Sequence, residues 1–192
     1  MRLMEEKILA EGKVLPGDVL KVGGFFNQQV DIGLMREIGD EVARLFNGCG
    51  VNKVLTIEAS GIAMATAAAL AMNVPMVFAK KHKTSNVDGD VLSTVVHSYT
   101  HGTDYNVAVS RDYLKRGDKV LIVDDFLAKG CALRGLIELT EKAGAEVVGA
   151  AIGIEKGFQH GGDELREKGL RVESLAIIDK MDGKDIVFRK QN

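Results

Sequence analysis

Two rhythms of apolar residues run along the chain. Residues 120–123 (VLIV) form an unbroken, largely β-branched run, the pattern of a strand buried on both faces and so of a parallel sheet covered by helices. Residues 53–57, 75–79 and 146–154 repeat that pattern. Between these runs the period lengthens. Leu34, Met35, Ile38, Val42, Leu45 and Phe46 share one face of a helix that starts at an Asp31 N-cap and stops at Gly48 and Gly50. An alanine-rich helix is predicted over 62–72, and Leu133, Leu136, Ile137 and Thr140 give the buried face of another that Ala143 and Gly144 close. Residues 1–11 read as an amphipathic helix with Leu3, Met4, Ile8 and Leu9 in its stripe, ended by Gly12. Pro16, Gly23 and Gly24 mark 15–30 as irregular or short-strand structure. VLSTVVHSY and NVAV, separated by HGTD, predict a hairpin arm within 84–110. A short helix over 163–168 and strands over 172–178 and 186–189 complete an α/β chain with a central parallel sheet.

Length and charge narrow the class. With 192 residues and 46% hydrophobic content, one domain can bury a full core without disulfides or metals. Lys and Arg total 25 against 27 Asp and Glu, and a net charge of −2 leaves no nucleic-acid footprint. Cys49 and Cys131 are too few and too far apart for a disulfide framework or a metal pair, which suits a reducing cytoplasm. His97 and His101 lack a third ligand, so no metal site is expected. The N-terminus has no signal-peptide core and no apolar run is long enough to cross a membrane, so a soluble cytoplasmic protein is expected.

The chemistry concentrates at VLIVDDFLAKGCALRG, residues 120–135. Asp124 and Asp125 fall at the carboxyl end of the buried strand, and the turn after them aims backbone N–H groups at whatever sits above the next helix. An anion is the natural guest. Two acids beside an anion site suit a ligand with a phosphate at one end and vicinal hydroxyls beside it. A ribose 5-phosphate answers that description: the carboxylates accept from its hydroxyls, while the N–H groups of Ala128, Lys129, Gly130, Cys131 and Ala132 wrap the phosphate. The acid pair alone reads rather as a helix cap; with its loop and helix it points to the sugar phosphate.

This stretch resembles the phosphoribosyl-diphosphate motif of type I phosphoribosyltransferases, and LKVGGFFNQQVD resembles the amino-terminal base-binding segment of the xanthine-using members. The resemblance covers essentially the whole chain. It implies the type I fold with a small hood, from about 12–30 and 155–192, and a flexible hairpin arm closing over the diphosphate. It implies transfer of ribose 5-phosphate from 5-phosphoribosyl 1-diphosphate to xanthine, and to guanine, giving XMP or GMP and pyrophosphate. Asp124 and Asp125 then become the catalytic pair, 128–132 the phosphate loop, Ser60 part of a pyrophosphate loop and Lys81, from KKHK, a contact to the diphosphate. Leu20, Asn27 and Lys156 match the base-binding positions, and Glu155 and Phe158 are expected on the same rim of the sheet, with an aromatic able to stack on the base. Mg²⁺ arrives with the diphosphate, and a homodimer is implied. Each match has a plainer reading: a surface loop with a buried Phe pair for 20–27, a helix cap for Ser60, a solvated strand edge for Lys81, and a Lys–Glu surface pair with a core Phe for 155–158. The loop carries Lys129 and Cys131 where the family often has Thr or Ser. Transfer to another purine, or sensing of the diphosphate by a regulatory protein, are the alternative functions.

Overall fold

The computed structural model describes residues 1–82, 90–98, 103–183 and 185–191. Its centre is an eight-stranded sheet of order β10-β9-β8-β7-β3-β4-β6-β5. Five strands in the middle run parallel: β4 (Met76–His82), β3 (Lys53–Ile57), β7 (Lys119–Leu127), β8 (Glu146–Lys156) and β9 (Val172–Asp182). The flanks are antiparallel, with β10 (Asp185–Phe188) on β9 at one side, and β6 (Thr103–Ser110) on β4 followed by β5 (Val91–Ser98) at the other. A separate pair, β1 (Lys13–Leu15) and β2 (Val19–Lys21), lies at the segment expected to be irregular or short-strand.

Side-chain alternation along β7 divides the core into two layers. Leu121 and Val123 pack with α1 (Arg2–Glu11), α2 (Ile32–Leu45) and α3 (Gly61–Met72). Val120 and Ile122 pack with α4 (Cys131–Lys142) and the β5–β6 hairpin. The Asp31 N-cap forms as expected, its Oδ1 accepting from the Leu34 N–H at 3.0 Å. The stripe on α1 is narrower than the sequence implied: Met4 and Ile8, one turn apart, are fully buried, while Leu3 and Leu9 are exposed. Two residues at i and i+4 are all that a helix lying on the sheet through one narrow contact can bury.

Three strands run further than their apolar runs. β4 continues through Lys80 and Lys81 because β6 pairs with it there, Lys81 opposite Val107, so these exposed lysines stand in a paired strand and not past its end. β7 continues through both acids to Leu127, and β8 to Lys156, each supporting the other through the pair Leu127–Glu155. Asp124 and Asp125 are therefore strand residues near its carboxyl end, with Phe126 and Leu127 still to follow in the strand. The arm is a hairpin as expected, and its stem is tied to α4: Thr94 Oγ1 donates to Glu138 Oε2 at 2.6 Å, and Lys142 Nζ to the Ser93 carbonyl at 2.8 Å. The parts of the arm at 84–89 and 99–102, with His101, lie outside the described residues. The last helix, α5, spans Gly161–Glu167.

Helices α2 and α3 cross at a close point where a Cβ added to Gly39 would stand 2.5 Å from the Ala67 carbonyl oxygen. Gly39→Val should force the helices apart and cost about 1–3 kcal/mol, seen as a lower thermal midpoint. An unchanged midpoint would show that this crossing tolerates a side chain.

Candidate active site

Pairing between β7 and β3 stops at Leu55 opposite Ile122, while β7 runs on beside β8. Asp124 and Asp125 thus sit beyond the last pair with β3, on an edge open towards the turn that enters α3. Being consecutive strand residues, they face opposite ways. Asp125 meets two segments distant in sequence: its Oδ2 accepts from Asn27 Nδ2 at 2.9 Å and its Oδ1 from Ser60 Oγ at 3.0 Å. The Ser60 hydroxyl makes no capping bond to α3. Asn27 ends a single π-helical turn, Gly23–Asn27, rooted by the buried rings of Phe25 and Phe26. Space for Phe26 comes from Gly153 on β8, where an added Cβ would lie 2.4 Å from the ring.

Asp124 lies on the other face and is buried. Loss of hydration, reinforced by the negative charge of Asp125, pushes its carboxyl well above the ordinary carboxylate range, against the opposing pull of Lys81. Its Oδ1 accepts the Asp125 N–H at 3.0 Å. Tyr105 of β6 belongs to this neighbourhood, its phenol pushed upward by burial and then by the charges of Asp124 and Cys131. Lys81 holds its ammonium 5.2 Å from the Tyr105 ring centroid, and its backbone N–H donates to Glu58 Oε1 at 2.7 Å. Residues of the β3–α3 turn, β4, β6 and β7 therefore converge around the two carboxylates.

After Leu127 the chain turns through Ala128 to Gly130, which adopts φ +79° and opens α4 at Cys131. Residues 128–132 line a cleft of about 600 Å³ together with Asp18, Tyr105, Phe126, Gln159 and Lys156. The Lys156 ammonium donates to the Asp18 carbonyl at 2.8 Å and stands 5.8 Å from the Phe126 ring centroid, and burial lowers its pKa. The expected loop and the expected base lysine thus share one cavity wall. Asn27 and Ser60 reach the site through Asp125. Asp124, Asp125, Asn27, Ser60 and Lys81 stand beside the cleft and do not line it, and Leu20 lies in the core cluster with residues of α1 and α2.

Two expectations for the rim are corrected. Glu155 is fully buried on the opposite face of β8 from Lys156, bound by Arg166 at 2.9 and 2.6 Å and by the Ser174 hydroxyl. Adjacent strand residues cannot share a face, so Lys156 in the cleft sends Glu155 away from it. Phe158 packs against the core, and the aromatic residues facing the cleft are Phe126 and Tyr105. Phe126 carried a signal, since it directly follows the acid pair. Tyr105 carried none, because antiparallel pairing between β4 and β6 brings it in.

Backbone donors at a helix entrance, a nearby ammonium and a carboxylate pair can hold a phosphorylated sugar by its two kinds of polar group. Set on an open parallel sheet, they define an α/β protein built for a sugar-phosphate ligand. Residues 34–185 match the phosphoribosyl transferase domain, and the chain belongs to that family. A protein of Clostridium botulinum named xanthine phosphoribosyltransferase 2 is 50% identical over 98% of this chain and 100% of its own length. Xanthine phosphoribosyltransferase of Lachnoclostridium phytofermentans is 52% identical, over 98% of each chain. Among solved structures, adenine phosphoribosyltransferase of Rhodothermus marinus aligns with a TM-score of 0.75 at 24% identity, covering 93% of this chain and 100% of that one, a likeness of fold.

Asp124 generates a stability prediction. A carboxyl raised in the folded state binds more protons than in the unfolded chain, so its contribution is full below the unfolded value and is lost as pH rises through the folded one. Asp124→Asn should therefore be more stable than the native protein at about pH 8, with the difference vanishing near about pH 4. Denaturant unfolding across that range measures it, and a pH-independent difference would contradict the burial argument.

Proposed function

We propose that this protein transfers ribose 5-phosphate from 5-phosphoribosyl 1-diphosphate to xanthine, and to guanine, releasing pyrophosphate. The observation that carries the reading is the common cleft of the 128–132 loop and Lys156, with the Asp124–Asp125 edge beside it. The names of relatives about half identical over nearly the full length support the base.

In this reading the loop N–H groups hold the 5-phosphate and the acids take the ribose hydroxyls. Lys81 and the turn at Ser60 face the diphosphate. The bond from C1 to the diphosphate breaks as purine N9 bonds to C1; pyrophosphate leaves with the electron pair and the base loses its N9 proton. Positive charge develops at C1, and Asp125, held from two sides before any ligand arrives, is a preorganised negative partner for it. Mg²⁺ enters as part of the diphosphate substrate. The diphosphate oxygens are hard ligands suited to that ion.

Lys156 sets the base preference. An ammonium is donor-only, which suits the carbonyl at purine position 6 and leaves the amino group of adenine facing a donor. Asn27 offers both a donor and an acceptor to position 2, and Phe126 offers a ring face. The segments at 12–30 and 155–192 then act as the hood of one catalytic domain. A homodimer is supported by exposed Leu70, Phe78 and Tyr113, which border two neighbouring hollows that share Pro75 and Met76 and lie outside the cleft lining. Free Cys49 and Cys131 accord with the cytoplasm, and among the described residues no helix is long and apolar enough to cross a membrane.

Nucleotide formation from xanthine, guanine, hypoxanthine and adenine tests the reading. Xanthine and guanine should be used, hypoxanthine less well and adenine not; efficient use of adenine would overturn it. Lys156→Gln should lower kcat/KM for xanthine on the order of 10- to 100-fold while diphosphate affinity stays near native. Asp125→Asn keeps shape and removes charge, so turnover should fall by roughly 100-fold, more than diphosphate binding weakens. Native turnover in that variant would remove Asp125 from the ribose site.

A further inference from the structure

The loop at 128–130 is gripped from behind by two elements. On one side lies the backbone of α5: a Cβ added to Gly161 would stand 2.2 Å from the Ala128 carbonyl oxygen, 2.5 Å from the Lys129 carbonyl carbon and 2.8 Å from the Gly130 nitrogen. All three are backbone atoms, so no rotamer change could relieve the overlap. Next to α5 is Arg134, in the first turn of α4, whose Nη2 donates to the Lys129 carbonyl and whose Nη1 lies 3.6 Å from Glu164 of α5.

These contacts bear on orientation. Across a planar trans peptide the C=O and the following N–H point in opposite directions. Holding the Ala128 carbonyl against Gly161 and the Lys129 carbonyl on Arg134 turns the N–H groups of Lys129 and Gly130 the other way, and both residues line the cleft. Helix α5 is itself fixed from below. Arg166 joins it to buried Glu155 and also bonds Asp163 within the helix at 3.2 Å, and Arg189 binds Asp163 from outside it at 2.7 Å. Glu155 precedes Lys156, so the end of β8 supports the loop with one residue and faces the cleft with the next.

We infer that Gly161 and Arg134 are positioning residues that aim the Lys129 and Gly130 N–H groups at the sugar phosphate, with the Glu155–Arg166 pair seating α5. This rests on the reading of 128–132 as the phosphate loop. The test measures binding of 5-phosphoribosyl 1-diphosphate with Mg²⁺ by calorimetry, KM for xanthine and thermal unfolding, in native protein and in Arg134→Met, Arg134→Lys and Gly161→Ala. Arg134→Met should weaken diphosphate binding about tenfold and leave the xanthine KM within about twofold of native. Arg134→Lys, which keeps a donor, should recover part of the loss, and Gly161→Ala should lose more than Arg134→Met. If Gly161→Ala shows no cooperative unfolding, the Arg134 pair decides the matter. Native protein that binds no diphosphate would overturn the phosphate-loop reading itself. Native binding with unchanged affinity in the folded variants, or equal losses for both substrates, would overturn the positioning role alone.

Discussion

The site depends on a mismatch in strand length. β7 keeps its partner β8 as far as the pair Leu127–Glu155 but loses β3 after Ile122. Had β3 continued alongside, the acids would be enclosed in the sheet with no open side. Had β8 stopped early, they would sit on a loose turn with no fixed direction. One supported edge and one open edge hold two carboxylates in strand geometry, facing opposite layers, at a place a ligand can approach.

Each carboxylate then takes a different character from its layer. Asp125 is bonded to Asn27 and Ser60, so two segments remote in sequence are registered against one group. Asp124 is buried beside a like charge and shifts upward. A buried carboxyl costs stability that a neutral isostere would not. Such a cost is typical of groups retained for chemistry rather than packing, and it falls at the centre of the converging elements.

Close backbone approach is the other recurring device. Gly153 admits Phe26 and so roots the turn that carries Asn27, while Gly161 lets α5 rest against the loop. Neither position contributes a functional atom. Both determine where functional atoms stand, because dense packing transmits a displaced ring or peptide to its neighbours.

The sequence by itself determined the parallel core, the capped α2, the acid pair with its loop and the matched position of Lys156, since all of these rest on local periodicity or on contiguous motifs. Strand limits at β4, β7 and β8 were set by pairing with segments far along the chain, which lengthens a strand past its apolar run and which no local pattern records. The same long-range pairing brought Tyr105 to Asp124 and moved Glu155 from the rim into a buried ion pair. Leu20, matched to the base site by motif, lies in the core beneath the helices, and Phe126 took the cleft face that Phe158 was expected to hold. Which face a residue presents depends on the phase of its strand, and only the assembled sheet sets that phase.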